Sequence, residues 1–196
     1  MEYRLNREDL LKNMTAWNGF LHKKVHLIAC GGTAMTLLGI KESTRDVDFM
    51  VPIEEEYRYL IKILKQLGYV PSSGSGWKRP SEAYIYDLFM GKRIHTTELI
   101  DPPLDEGRHS LIKEFSRLYI GVLNHYDLII SKLFRCTSVD VEDCLTLVKV
   151  RRNEIDINRL LERFKETALF DITEAKMMGN WEYFETMIVK EGLYGK

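Results

Sequence analysis

Three groups of residues have types and spacings that could do chemistry. Asp46 and Asp48 stand two apart in Asp46-Val47-Asp48-Phe49-Met50-Val51. In an extended chain residues i and i+2 share a face, so both carboxylates are expected at one point. Such a pair repels itself unless a cation lies between. Asp87 is a lone acid within Tyr84-Ile85-Tyr86-Asp87-Leu88-Phe89-Met90. Strand propensity disfavours it and burial is expensive, so it needs a hydrogen-bonding partner or a metal. Gly31-Gly32 follows the apolar run Val25 to Ala29. Tandem glycines let a ligand approach the backbone, and the N–H groups that open the next helix can hold phosphate oxygens. Each group also has a plain structural reading: a turn, a solvent-facing pair and a hydrogen-bonded buried acid.

The elements that must position these residues can be read from periodicity. Asn6 can cap a helix reaching about Leu21, with Leu10, Leu11, Met14, Trp17 and Leu21 at helical spacing. Val25 to Ala29 reads as a strand, Thr33 to Leu38 as a helix, and Asp46 to Val51 as a strand with one buried face. Pro52 ends that strand, and an amphipathic helix follows from Glu54 to Leu67. Residues 71–80 have loop composition. Further strands are expected at Ala83 to Met90 and Arg117 to Leu123. Beyond Asn124 the pattern becomes helical: Tyr126 to Cys136, Val139 to Arg151, Asp156 to Thr167 and Thr173 to Glu191. The expectation is an α+β fold, with a small mixed sheet and flanking helices over residues 1–123 and a C-terminal helical bundle over 124–196.

Composition narrows the function classes. In 196 residues, 45% are hydrophobic and 29% charged, which excludes a disordered or fibrous chain. The net charge is −1, so a bulk basic footprint for nucleic acid is absent and a plain nucleic-acid-binding protein is disfavoured. Three cysteines without a paired C-x-x-C spacing argue for a reducing compartment and against a zinc knuckle. The longest stretch free of Asp, Glu, Lys and Arg, Val25 to Ile40, is shorter than the roughly 18 to 20 residues a membrane span needs. With Glu2, Arg4, Arg7, Glu8 and Asp9 where a signal peptide would be apolar, the expectation is a cytoplasmic protein with no membrane partner.

Taken together, Gly31-Gly32, the 13 residues to Asp46-Val47-Asp48 and the later strand Asp87 resemble the DNA polymerase beta-type nucleotidyltransferase superfamily. Ile28 to Ala34 and Thr44 to Phe49 are particularly similar to small prokaryotic members, among them the toxins of abortive-infection systems. The resemblance continues at Ile85 to Phe89, at Tyr126 to Leu133 with Arg135, and at Asp140-Val141-Glu142-Asp143, so that it covers residues 25–148.

The resemblance implies a transferase that uses two Mg²⁺ ions, with Mn²⁺ as a substitute, and a nucleoside triphosphate such as ATP attacked at its α-phosphorus by a hydroxyl. Two ions about 3.5–4 Å apart offset charge on the entering and leaving oxygens, and hard oxygen ligands suit Mg²⁺. By the same resemblance, Asp46, Asp48 and Asp87 are the catalytic and metal-binding residues, and Asp87 also helps to deprotonate the acceptor. Gly31, Gly32 and Thr33 would lie along the phosphates. Lys132, with Arg135 one turn along, would neutralise them from a helical wall of the cleft, and Lys132→Ala is expected to leave the fold intact as a surface lysine would. The implied acceptor is an RNA end, tRNA included, or a protein hydroxyl, and the implied partner an antitoxin. The alternative is a catalytically inactive nucleotide-binding or interaction module on the same fold. His26 is expected as a satisfied core histidine. Cys136 and Cys144 are expected as buried helix residues, and Tyr119, Tyr126 and Trp181 as packing residues.

Overall fold

The apolar runs of the N-terminal part assemble into a seven-stranded mixed sheet in the computed structural model, which describes residues 3–195 of the protein. In chain order the elements of this part are β1 (Leu5–Asn6), α1 (Arg7–Phe20), β2 (Val25–Ala29), α2 (Gly31–Leu37), β3 (Ser43–Thr44), β4 (Val47–Val51), α3 (Glu54–Gln66), β5 (Val70–Pro71), β6 (Gly76–Lys78) and β7 (Tyr86–Met90). The hairpin β8 (Arg93–Ile94) and β9 (Thr97–Glu98) follows, then β10 (His109–Glu114) and β11 (Leu118–Leu123). The main sheet runs β10-β11-β2-β4-β7-β6-β5. Its β11–β2 and β4–β7 pairs are parallel, and the others are antiparallel.

The chain divides into two compact units. One holds the described residues up to Arg93 together with Asp101–Leu123, and the other holds Ile94–Ile100 and the residues from Asn124 onward. In the first unit, Asn6 caps α1 through a reciprocal capping box with Asp9. Glu54, Glu55 and Glu56 open α3 where the helix dipole favours acids. All five residues of β4 are buried, so this strand has both faces covered rather than the one expected from its alternation.

Several other expectations need correction. Residues 71–80 are not all loop: β6 pairs with β7, and Trp77 is buried despite the Ser/Gly-rich surroundings. Helix α2 opens at Gly31, ahead of Thr33, and β7 begins at Tyr86 rather than Ala83. Strand β10 and the β8–β9 hairpin carried no readable signal. Strand β10 is an edge strand without a fully buried residue, so it needs no apolar alternation.

The second unit is a helical bundle of α4 (His125–Arg135), α5 (Ser138–Val150), α6 (Ile157–Ala168) and α7 (Glu174–Lys190). Side chains of Asn124, Thr137 and Asp156 cap the first three helices. Phe134, Phe164, Trp181 and Phe184 interlock at centroid separations of 5.3–5.8 Å and centre the core. Trp181 is thus a packing residue, as expected. Cys144 is buried, whereas Cys136 lies outside α4 as its left-handed C-cap and is only half-buried, because the helix has ended there. Among the described residues, no helix is long and apolar enough to cross a membrane.

Candidate active site

Strand pairing brings two of the three carboxylates together. In the parallel β4–β7 ladder, Asp48 stands directly opposite Asp87, and residues so paired project from the same face of the sheet. Asp48 is buried and Asp87 half-buried. Asp46 lies in an exposed bend just before β4 rather than within the strand. Its backbone carbonyl accepts hydrogen bonds from the Thr33 hydroxyl (3.2 Å) and the Thr44 hydroxyl (2.9 Å).

The first turn of α2 is shaped around Asp48. The N–H of Gly32 donates to Asp48 Oδ2 at 3.3 Å, and the Asp48 N–H donates to the Thr33 hydroxyl at 2.8 Å. Gly31 has φ +55°, and a Cβ there would lie 2.4 Å from Asp48 Oδ2. No other residue fits without displacing the carboxylate. A Cβ on Gly32 would meet Thr44 Oγ1 at 2.6 Å. The tandem glycines are therefore explained by close approach of the Asp48 and Thr44 side chains. Thr33 is fully buried, and its hydroxyl ties the two ends of the Asp-x-Asp segment to α2.

Ser75 is a site residue that its sequence neighbourhood does not reveal. It precedes Gly76, which pairs with Asp87, and its hydroxyl donates to Asp87 Oδ1 at 3.3 Å. Its one signal was position in a Ser/Gly segment, and only the β6–β7 pairing gives that position meaning.

A hard divalent cation calls for oxygen donors, and Asp48 with Asp87 supplies such a set in register. Among the described residues, no group of three or more His, Cys, Asp and Glu side chains is gathered as a metal site. Asp48 and Asp87 stand as a pair in register, with Asp46 in the bend that precedes the strand.

Lys132 and Arg135 lie on α4 in the second unit. Lys132 is 2% exposed, so the surface lysine anticipated from the sequence is a buried one. Its ammonium is 2.7 Å from Asp143 Oδ2 and 3.7 Å from Asp140 Oδ1. Arg135 donates to Asp140 Oδ1 at 2.6 Å and to His95 Nε2 at 3.0 Å. Burial, reinforced by the Arg135 charge, holds the His95 imidazole below its usual pKa and favours the neutral ring that accepts this bond. His95 carries φ +50°, an uncommon conformation for a non-glycine residue. Burial pushes the Cys144 thiol far up, so it stays protonated.

His26 is satisfied as anticipated: Glu56 accepts from its backbone N–H at 2.7 Å and faces its Nδ1 at 3.0 Å. Tyr119 packs on His26, and its hydroxyl lies 2.8 Å from His109 Nε2. The Tyr126 hydroxyl accepts from the Asp156 N–H.

No curated protein matches the chain. Among solved structures, ANT(2")-Ia in complex with adenylyl-2"-tobramycin is 11% identical with a TM-score of 0.52, over 82% of this chain and 93% of that one. At that identity the likeness is one of fold. An antigenic nucleotidyltransferase-like protein from Paracoccidioides brasiliensis is 11% identical with a TM-score of 0.45, over 84% of this chain and 90% of that one. Residues 20–190 match a protein family described as a nucleotidyltransferase of unknown function (DUF6036), and the chain belongs to that family.

Proposed function

We propose that the protein transfers a nucleoside monophosphate from a nucleoside triphosphate to a hydroxyl group, and does so with a divalent cation, Mg²⁺ or Mn²⁺. The observation that carries this reading is Asp48 opposite Asp87 on parallel strands, with Gly31 shaped around the Asp48 carboxylate. Asp48 and Asp87 would hold the cation, with Asp46 completing its shell. A divalent ion there would offset negative charge on the phosphoryl oxygens during in-line displacement. In the reaction, the acceptor oxygen bonds to the α-phosphorus, pyrophosphate leaves with the electron pair of the broken P–O bond, and the Asp87 carboxylate takes the hydroxyl proton. Thr33, whose hydroxyl donates to the Asp46 carbonyl and accepts from the Asp48 N–H, is a positioning residue. In the same proposal, Lys132 and Arg135 clamp α4 to α5, because their charges are engaged by Asp140 and Asp143. The acceptor we favour is an RNA end or a protein hydroxyl, within a toxin–antitoxin pair.

A second reading, a nucleotide-binding module without transfer activity, is favoured by the absence of a gathered three-ligand group among the described residues. Calorimetric titration with each nucleoside triphosphate, with and without Mg²⁺, separates the two. Metal-dependent binding, followed by transfer of α-³²P label to cellular RNA or protein, supports the transferase. Metal-independent binding without label transfer supports the module.

A further inference from the structure

We infer that the cavity between α1 and the loop preceding β7 binds a small alkylammonium group. It lies within the first unit, and its ring from β7, Tyr86, alternates with Asp87 and so projects from the opposite face of the sheet. The inference therefore stands apart from the proposed transfer reaction.

The cavity is about 60 Å³, several times the ~10–15 Å³ that one water requires. Its walls are aromatic. The Trp17 and Tyr86 rings are 4.5 Å apart at 38°, and Tyr69 meets Trp17 edge-on at 6.1 Å and Tyr86 at 5.7 Å. Phe20 stands half-exposed on its border. Aromatic faces attract a cation through their quadrupoles, and more strongly once the cation is desolvated.

Polar groups in the cavity supply direction. The Tyr69 hydroxyl donates to Glu82 Oε1 at 2.8 Å. Glu82 Oε2 is buried without a hydrogen-bond partner among the described residues. Burial drives the Tyr69 hydroxyl well above its ordinary pKa, so it stays a donor to Glu82. Arg79 also lines the cavity but is exposed and makes no ion pair with Glu82 among the described residues. What the cavity lacks is a donor for Oε2 carrying positive charge and a short apolar stem. An R–CH₂–NH₃⁺ group supplies both, whether from a free amine or from a lysine side chain.

The test is titration of the full chain with ethylammonium chloride, followed through the Trp17 indole N–H in ¹H–¹⁵N spectra. That resonance is one of three indole signals and is assigned with Trp17→Phe. Ethanol serves as the neutral isostere, NaCl as the ionic-strength control and N-acetyl-lysine amide as the peptide-borne amine. The expected result is a saturable shift with ethylammonium, at least tenfold weaker with ethanol, and weakened at least tenfold by Glu82→Gln. Saturation by N-acetyl-lysine amide as well identifies a protein-borne ligand, and saturation by ethylammonium alone a free amine. A shift that ethanol or NaCl reproduces, no saturable shift, or unchanged affinity in a folded Glu82→Gln protein overturns the inference. If Glu82→Gln does not fold, the comparison of ethylammonium with ethanol on the parent decides.

Discussion

The two charged regions of the chain are built on opposite plans. On the sheet, Asp48 and Asp87 put like charges in register, and the backbone around Gly31 is shaped to the carboxylate. In the helical unit, Lys132 and Arg135 interleave with Asp140 and Asp143, so opposite charges meet at 2.6–3.7 Å. A like-charged pair carries an electrostatic cost that a cation relieves. A mixed cluster neutralises itself, and taking away one member strands the others. The first arrangement should therefore report on ligand binding when perturbed, and the second on stability.

Mutation can break or sharpen that distinction. The largest expected effect is on activity. Asp48→Asn keeps the shape but removes the charge, and label transfer should fall by on the order of 10³-fold, the scale of losing a principal electrostatic group. Circular dichroism should meanwhile show a folded protein. Next is Lys132→Met, which leaves Asp143 and Asp140 buried without their ammonium. Urea denaturation should show a loss of about 3–5 kcal/mol, and a small loss would place this lysine with the functional charges instead. Gly31→Ala should cost more than the ~1–2 kcal/mol of a left-handed non-glycine residue, because its Cβ also collides with Asp48. Here Mg²⁺-dependent nucleotide binding should weaken along with stability, the one substitution that joins the two readouts.

The smallest effect concerns pH. His95 has a folded-state pKa below its unfolded value, so the unfolded chain binds more protons as pH falls below about 6.5. Its contribution to stability is complete above that pH and declines below it, toward the depressed folded-state value. His95→Gln should flatten the stability curve between neutral and mildly acidic pH, measured as denaturation midpoints in matched buffers.

Helix positions were legible because caps and apolar spacing are local. Asn6 caps the helix it is expected to open, β2 follows a continuous apolar run, and β4 and β11 lie within the expected strands Asp46 to Val51 and Arg117 to Leu123. Long-range pairing was not legible. Strand β10 has no buried stripe, and β6 hides in a Ser/Gly segment whose order comes from a neighbour distant in sequence. The candidate site divides the same way. Residue types single out Asp48 and Asp87, but only the resemblance links the two, and the exclusion of Asp46 from β4 depends on how the Thr33 and Thr44 hydroxyls turn the chain. The burial of Lys132 was hidden because a buried ion pair and a solvated lysine look alike in a helical pattern. Its partners are on another helix.

The margins of the main sheet bear on how the protein behaves in a crowded solution. At one margin, β5 is only two residues long and ends in Pro71, which has no N–H to offer. At the other, the β10 ladder slips between Leu111 and Lys113 and then presents the exposed charges of Lys113 and Glu114. An incoming strand meets an interrupted template on either side, so edge-to-edge pairing through the backbone of the main sheet is disfavoured at both. Contact at these margins falls to side chains, and that kind of contact can be tuned one residue at a time.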